Sequence, residues 1–282
     1  MRATAFSKER FRLLKFTTLA SSSTGNAAVV SDGQTHILVD AGISARRITV
    51  GLRQLGIEPK QLSAILITHD HTDHIGGLAV LTKQNWVPIY ATKPTCQTIL
   101  RKAPHAQEML QSRDPGSCIA VGGLSVQSFS VPHDAQGTVG YSIRAGETRM
   151  VLCTDLGHVP PEVVEQVKGC DLLVCEANHD EEWVRSSSYT YFLKQRVLGA
   201  YGHLSNEAGA ELALTAAQSG AKYIILAHLS PENNTPAHAY GVVSERLRRE
   251  GVDLEQDVHL FVAPRNEMGN PCEITHREEV SC

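Results

Sequence analysis

The chain has 282 residues, of which 42% are hydrophobic, and its 26 Lys and Arg against 30 Asp and Glu leave a formal net charge of −4. That is ordinary for a soluble globular protein and gives no global electrostatic case for a polyanionic partner. No apolar run is long enough to span a bilayer, residues 1–10 lack the apolar core of a secretory signal, and the seven cysteines include no CxxC pair, so a cytoplasmic protein without a disulfide framework is expected.

Apolar segments at 13–19, 27–31 and 36–40 read as strands, separated by Ser21-Ser22-Ser23-Thr24-Gly25-Asn26 and a Ser31-Asp32-Gly33 turn. Ser44 then caps a helix that ends near Leu55-Gly56. A strand over 64–68 leads into a helix, a short strand at 88–91 and a helix at 94–102. Strands at 124–131, 139–144 and 149–154 come next, then a helix at 160–168 and a strand at 171–176. Residues 180–201 form a short helical, lid-like segment, too small for a second domain. A helix at 206–219, a strand at 222–227, a helix at 237–249 and a strand at 258–262 complete the pattern, with 277–282 expected to fray. Layered sheets covered by helices are implied, in a single domain over 1–282 without a linker.

The most informative stretch is Thr68-His69-Asp70-His71-Thr72-Asp73-His74. It places three imidazoles and two carboxylates where an apolar strand empties into a loop. Imidazole and carboxylate are the usual donors for borderline and hard divalent cations. A solvated loop with coincidental histidines is the alternative, and HxHxDH after a strand is far more specific than that. Three further donors recur in the same local context. His133 follows the 124–131 strand, Asp155 follows Met150-Val151-Leu152-Cys153-Thr154, and His228 follows Tyr223-Ile224-Ile225-Leu226-Ala227. Singly each would more often be structural, but a sheet lines its strand ends along one edge.

Taken together, Thr68–His74, Pro132-His133, Thr154-Asp155 and Ala227-His228 resemble the metallo-β-lactamase-fold hydrolases over nearly the whole chain. The resemblance implies an α/β architecture, an αββα sandwich of two mixed sheets covered by helices, without a β-CASP insertion. It implies two divalent ions, with zinc or manganese favoured and iron or nickel compatible. One ion would be held by His69, His71 and His133, the other by Asp73, His74 and His228, with Asp155 bridging. Ser22-Ser23-Thr24-Gly25-Asn26, Asp40-Ala41-Gly42-Ile43-Ser44, His133-Asp134-Ala135, Glu176-Ala177-Asn178-His179-Asp180, Gly202-His203-Leu204-Ser205-Asn206 and His228-Leu229-Ser230-Pro231-Glu232-Asn233-Asn234 further resemble the YycJ/WalJ group. Members of that group are metal-dependent 5′→3′ exodeoxyribonucleases. Two departures, Thr24 in place of a common serine and Leu156-Gly157-His158 in place of a Thr-Gly-Tyr-like stretch, touch no implied ligand.

The implied reaction is phosphodiester hydrolysis by a water activated between two ions, attacking in line with the departing sugar oxygen. By the same resemblance His203 protonates that oxygen, Glu176 orients His203, and Asp73 belongs to the catalytic set. Arg185, Lys194 and Arg196 are candidates for a terminal phosphate, since guanidinium forks bind phosphate bidentately, and Asn206 and Asn233 are further candidates for substrate contact. DNA ends are the expected partner, with no membrane involved. The competing readings are a small-molecule phosphodiesterase, a thioester or lactam hydrolase, and a non-catalytic binding module. Asp155 stands where many zinc β-lactamases carry cysteine, and acyl transfer would leave a dedicated His203 superfluous. A binding module would be expected to have lost ligands.

Overall fold

The computed structural model describes residues 12–276. The expectations for 277–282 and for residues 1–10 lie outside that range. The first half runs Arg12–Ala20 (β1), Ala27–Ser31 (β2), His36–Val39 (β3), Ala45–Gln54 (α1), Leu62–Leu66 (β4), Thr72–Ile75 (α2), Leu78–Gln84 (α3), Ile89–Ala91 (β5), Lys93–Lys102 (α4) and Leu110–Ser112 (β6). The second runs Cys118–Val121 (β7), Leu124–Ser130 (β8), Val139–Ala145 (β9), Thr148–Cys153 (β10), Pro161–Val167 (α5), Leu172–Glu176 (β11), Glu181–Ser186 (α6), Tyr191–Val197 (α7), Asn206–Gln218 (α8), Tyr223–Ala227 (β12), Pro236–Arg249 (α9), His259–Val262 (β13) and Cys272–His276 (β14).

The strands form two sheets, in the orders β14-β1-β2-β3-β4-β5-β6 and β13-β12-β11-β10-β9-β8-β7. Each sheet is antiparallel at one side and parallel at the other, with β3 to β6 and β10 to β13 the parallel runs. β10 and β11 are buried at every position, because both of their faces are covered. β8, nearer an edge, shows mostly alternating burial.

Alternation assigns the strand residues to three apolar layers. Phe16, Val30, Ile37, Leu66, Ile143, Leu152 and Val174 face inward between the sheets. Leu38, Ile65 and Ile67 face the other way and pack under Ile48, Leu52, Leu81 and Ile99 of α1, α3 and α4. On the opposite outer face Val151, Leu173 and Ile224 pack under Val163, Leu212 and Val243 of α5, α8 and α9. This is the αββα sandwich. Truncating an interior leucine such as Leu38 to alanine costs about 2–5 kcal/mol in such a core.

The structure departs from the expected elements in a few places. β6, β7 and β14 are short strands that pattern alone does not reveal. β4 stops at Leu66, and the helix after the histidine run is broken into α2 and α3 at Gly76-Gly77. A Cβ on Gly77 would lie 2.0 Å from Ile43 O, so only glycine allows the chain this close to the 41–44 loop. No helix among the described residues is long and apolar enough to cross a membrane.

Candidate metal centre

The parallel runs bring the carboxyl ends of β3, β4, β10, β11 and β12 to one edge, and β8, antiparallel to β9, ends there too. Asp40, His69, His133, Asp155, Glu176 and His228 all lie at or just beyond these ends. Among the described residues the non-glycine positions with positive φ are Asp40 (60°), Asp155 (60°) and His228 (58°). All three follow strands at this edge. Left-handed backbone at aspartate or histidine is tolerated but costs free energy, and it re-aims the side chain across the edge instead of along the strand.

The side chains of His69, His71 and His133 converge, their ligand atoms within 4.8 Å of one another, and Asp73, His74 and His228 converge likewise. Asp155 falls within the same limit of His69 and His74, and of His228, so it faces both groups. Glu176 and His203 join Asp155 and His228 in a further cluster. The seven residues expected to hold metal are thus brought together.

Three atoms at this point are buried without a hydrogen-bond partner: His69 Nε2, His228 Nε2 and Asp155 Oδ2. An unpaired buried polar atom costs about 1–3 kcal/mol, so three such atoms within the two converging groups are what donors arranged for cations would show. The electrostatics agree. Burial would lower the His74 and His228 pKa values, but Asp155 and neighbouring carboxylates outweigh it, raising His74 well above its ordinary value and His228 to about 10. Burial and then the surrounding imidazoles push His69 the other way, towards a neutral ligand. The carboxylates here thus favour positive charge at His74 and His228 while His69 stays neutral, a balance that a divalent ion would satisfy.

Residues behind these candidate ligands orient them. Asp40 Oδ2 accepts from His74 Nδ1 at 2.7 Å and from Thr68 Oγ1 at 2.9 Å, and Asp40 Oδ1 accepts from the Thr68 backbone N–H at 2.9 Å. His133 Nδ1 donates to Gly202 O at 3.1 Å, which ties a ligand to the loop bearing His203. Glu176, fully buried, is the second hub. Its Oε1 accepts from His203 Nδ1 (2.8 Å) and His228 Nδ1 (3.0 Å), and its Oε2 from the Leu156 and Leu204 backbone N–H groups. Burial acts to raise the Glu176 carboxyl, but these imidazoles together hold it well below the usual carboxylate range.

The centre opens into a cleft of about 510 Å³. Asp73, Asp155, His203 and His228 line it, together with Ser23, Thr24, Asn178, Tyr189, Leu193, Arg196 and Val197. Asp134 Oδ1 lies 3.4 Å from both His71 Nε2 and His133 Nε2, and its other oxygen accepts from Arg196 Nε. Partial burial opposes ionisation of Asp134, yet Arg196 and the adjacent histidines hold its pKa below the ordinary value. The arrangement has two metal-ready groups, a carboxylate facing both, and a histidine–glutamate pair beside them at the floor of a polar cleft.

The residue pattern also matches a protein-family model described as the beta-lactamase superfamily domain, over residues 35–229. The chain belongs to the metallo-β-lactamase superfamily. Within it, the chain is 36% identical over 252 residues to exodeoxyribonuclease WalJ of Streptococcus pneumoniae serotype 2, covering 88% of this chain and 93% of that one. It is 35% identical to exodeoxyribonuclease YycJ of Bacillus anthracis, over 84% of this chain and 90% of the relative. In fold it superposes on the zinc-bound PqqB of Methylobacterium extorquens with a TM-score of 0.66 at 18% identity, covering 91% of this chain and 99% of that one. The chain is thus a WalJ/YycJ-type member of the superfamily.

The expected substrate contacts fare unevenly. Arg196 and Asn233 line the cleft. Asn206 does not: it is fully buried at the start of α8, and its amide exchanges hydrogen bonds with Asn234. That corrects its assignment, because a helix start facing the sheet offers no room for substrate. Arg185 pairs with Glu181 at 2.8 Å and Lys194 Nζ donates to Arg185 O at 2.6 Å, and neither is among the cleft-lining side chains. Asp40, Asp134 and Asn178 were not anticipated. Asp40 and Asn178 lie within motifs that the sequence displays, but their roles depend on partners 34 and 50 residues away.

Proposed function

We propose that this protein is a dinuclear, metal-dependent phosphodiesterase that removes nucleotides from DNA 5′ ends. The observation that carries this reading is the His203–Glu176 pair, 2.8 Å apart, set against the two metal-ready groups. The names of the relatives above support nucleic acid as the substrate. His69, His71 and His133 would hold one divalent ion and Asp73, His74 and His228 the other, with Asp155 shared. Bound there, the ions supply Lewis acidity toward phosphoryl oxygens and a nucleophile at neutral pH. Zinc suits the nitrogen-rich donor set and manganese suits the carboxylates.

The protein's own groups do the rest. Glu176 fixes the tautomer of His203 by accepting from Nδ1, leaves Nε2 toward the cleft, and stabilises the imidazolium electrostatically. His203 then donates its Nε2 proton to the departing sugar oxygen, which is otherwise a poor alkoxide leaving group. Asn178, Ser23, Thr24 and Asn233 offer neutral polar contacts to the substrate. Residues 180–201 act as a lid within one domain. Trp183 stacks on His238 of α9 (4.9 Å, 11° between planes) and Asp180 bonds His238 at 2.8 Å, which anchors one end, while Arg196 grips Asp134 at the other.

Digestion of end-labelled, 5′-phosphorylated single-stranded DNA, duplex DNA and RNA tests the proposal. Stepwise nucleotide release from the 5′ end of DNA is expected. Inertness toward all three, by protein loaded with zinc or manganese, contradicts it.

A further inference from the structure

The lid carries an aromatic surface that the catalytic geometry leaves unused. Of the chain's 15 Phe, Trp and Tyr residues, five fall between 183 and 201 (Trp183, Tyr189, Tyr191, Phe192 and Tyr201). Tyr191 is 70% exposed and Phe192 83%, and their rings meet edge to face with centroids 6.0 Å apart. Leaving two adjacent aromatic rings in water sacrifices burial worth having in any fold, so such a pair points to a binding surface. Its position says which. In sequence the pair is bracketed by Tyr189 and Leu193, both of which line the active-site cleft. Arg196 and Val197 of the same short helix face the cleft as well, and at helical spacing Tyr191 and Phe192 stand on its outer side and flank.

The charge around the rings narrows the occupant. Residues 187–201 hold two cations, Lys194 and Arg196, and no acid, in a chain whose net charge is −4. Arg196 is paired with Asp134, whereas the Lys194 ammonium bonds a neutral carbonyl, so its charge is not cancelled there. Hydroxyls of Ser187, Ser188 and Thr190 precede the rings. Aromatic faces interleaved with basic and hydroxyl groups, on a helix whose inner side lines a phosphodiesterase cleft, are the composition that binds unpaired nucleic acid: rings stack on bases while cations follow the backbone.

We propose that Tyr191 and Phe192 form a stacking platform for unpaired bases of the strand whose end lies in the cleft, which makes the substrate class nucleic acid with a single-stranded end. The inference rests on the phosphodiesterase reading of the cleft. Bases paired within a duplex present no free faces, so an end must be unpaired over the nucleotides that cross the lid.

Fluorescence anisotropy of the zinc- or manganese-loaded protein tests this. The probes are a 5′-phosphorylated 12-nucleotide single strand with a hydrolysis-resistant phosphorothioate backbone, an abasic strand of the same backbone, and a blunt duplex. Wild-type protein is expected to favour the base-bearing strand. The double substitution Tyr191→Ala, Phe192→Ala should weaken that binding about 5- to 100-fold and leave abasic binding unchanged. Retained abasic binding reports that the variant is folded. Tyr191→Leu, Phe192→Leu, which keeps apolar area without ring faces, should show most of the same loss. Equal wild-type affinity for base-bearing and abasic strands, or an unaltered double variant, overturns the platform. Concentration-dependent self-association that the double variant abolishes, with base-bearing affinity unchanged, overturns it in favour of a protein interface. Wild-type turnover of bis(4-nitrophenyl) phosphate, measured separately, distinguishes the two levels. Turnover without base-dependent binding removes the platform alone, and no turnover of any phosphodiester removes the phosphodiesterase reading beneath it.

Discussion

Glu176 serves two histidines with one oxygen, and that shared acceptor would join the proposed metal binding to the proposed proton delivery. Its Oε1 lies 2.8 Å from His203 Nδ1 and 3.0 Å from His228 Nδ1, so the proposed leaving-group acid and a proposed ligand are oriented by one buried carboxylate. Asp40 plays the corresponding part for His74. Carboxylates behind metal-binding histidines typically contribute 10- to 100-fold in affinity. Asp40→Asn is therefore expected to weaken metal binding by roughly that factor, measured by competition with a chromophoric chelator, and unchanged affinity would remove Asp40 from this role. The cysteines behave differently. Burial pushes the Cys170 and Cys175 thiols up to about 12 and raises Cys153 well above its ordinary value, so all three stay protonated and unreactive at neutral pH. Of the described cysteines only Cys118 is exposed. Brief alkylation of folded protein at pH 7.5, read by peptide mass, should mark Cys118 and spare Cys153, Cys170 and Cys175.

At the scale of elements, loops that touch backbone to backbone hold the site together. A Cβ on Gly42 would sit 1.6 Å from Asp73 O, so the loop after β3 is pressed directly against the first turn of α2. Asn26 N–H reaches the same carbonyl at 2.8 Å. Gly42→Ala must move Asp73, and it is expected to lose about one metal equivalent and to destabilise the fold by roughly 1–3 kcal/mol. Elemental analysis and thermal unfolding report both, and a variant that keeps full metal content with a wild-type midpoint would contradict the prediction. The lid contact is softer. The Arg196 side chain is 57% exposed, so its ion pair with Asp134 adds only about 0–1 kcal/mol to stability. Arg196→Ala should leave the melting temperature within a degree or two, yet raise KM for DNA several-fold by freeing the lid and removing a cation from the cleft. An unchanged KM would count against the lid role.

Across the whole molecule, two mixed sheets aim their strand ends at one edge, and buried carboxylates gathered there await cations. Loading with a divalent ion at about 100 times its Kd stabilises a protein by about 2.7 kcal/mol, or roughly 4–5 °C in melting temperature for a chain of this length. Chelator-treated protein should melt lower by about that amount and recover with zinc or manganese. The architecture was legible because apolar strands precede polar residues at one edge, as with His69 after Ile65-Leu66-Ile67, Asp155 after Val151-Leu152-Cys153 and His228 after Ile224-Ile225-Leu226, while the proposed ligand set follows from the family resemblance that those motifs carry. β6, β7 and β14 were not legible, being three to five residues long and defined by their neighbours. Nor were the duties of Asp40, Asp134 and Asn206, which depend on tertiary partners. The start of α8 turns Asn206 into the core, a placement that its neighbours in sequence do not reveal.

The proposed service of His203 to a poor leaving group is isolated by one comparison. Rates of metal-loaded wild type and His203→Ala, with metal contents matched, are measured on 5′-phosphorylated DNA and on bis(4-nitrophenyl) phosphate. A sugar oxygen needs a proton to depart, whereas nitrophenolate leaves readily without one. The substitution should therefore slow DNA cleavage about 10²- to 10⁴-fold and the nitrophenyl ester far less. Equal losses on both substrates, or undiminished DNA cleavage, would contradict the account.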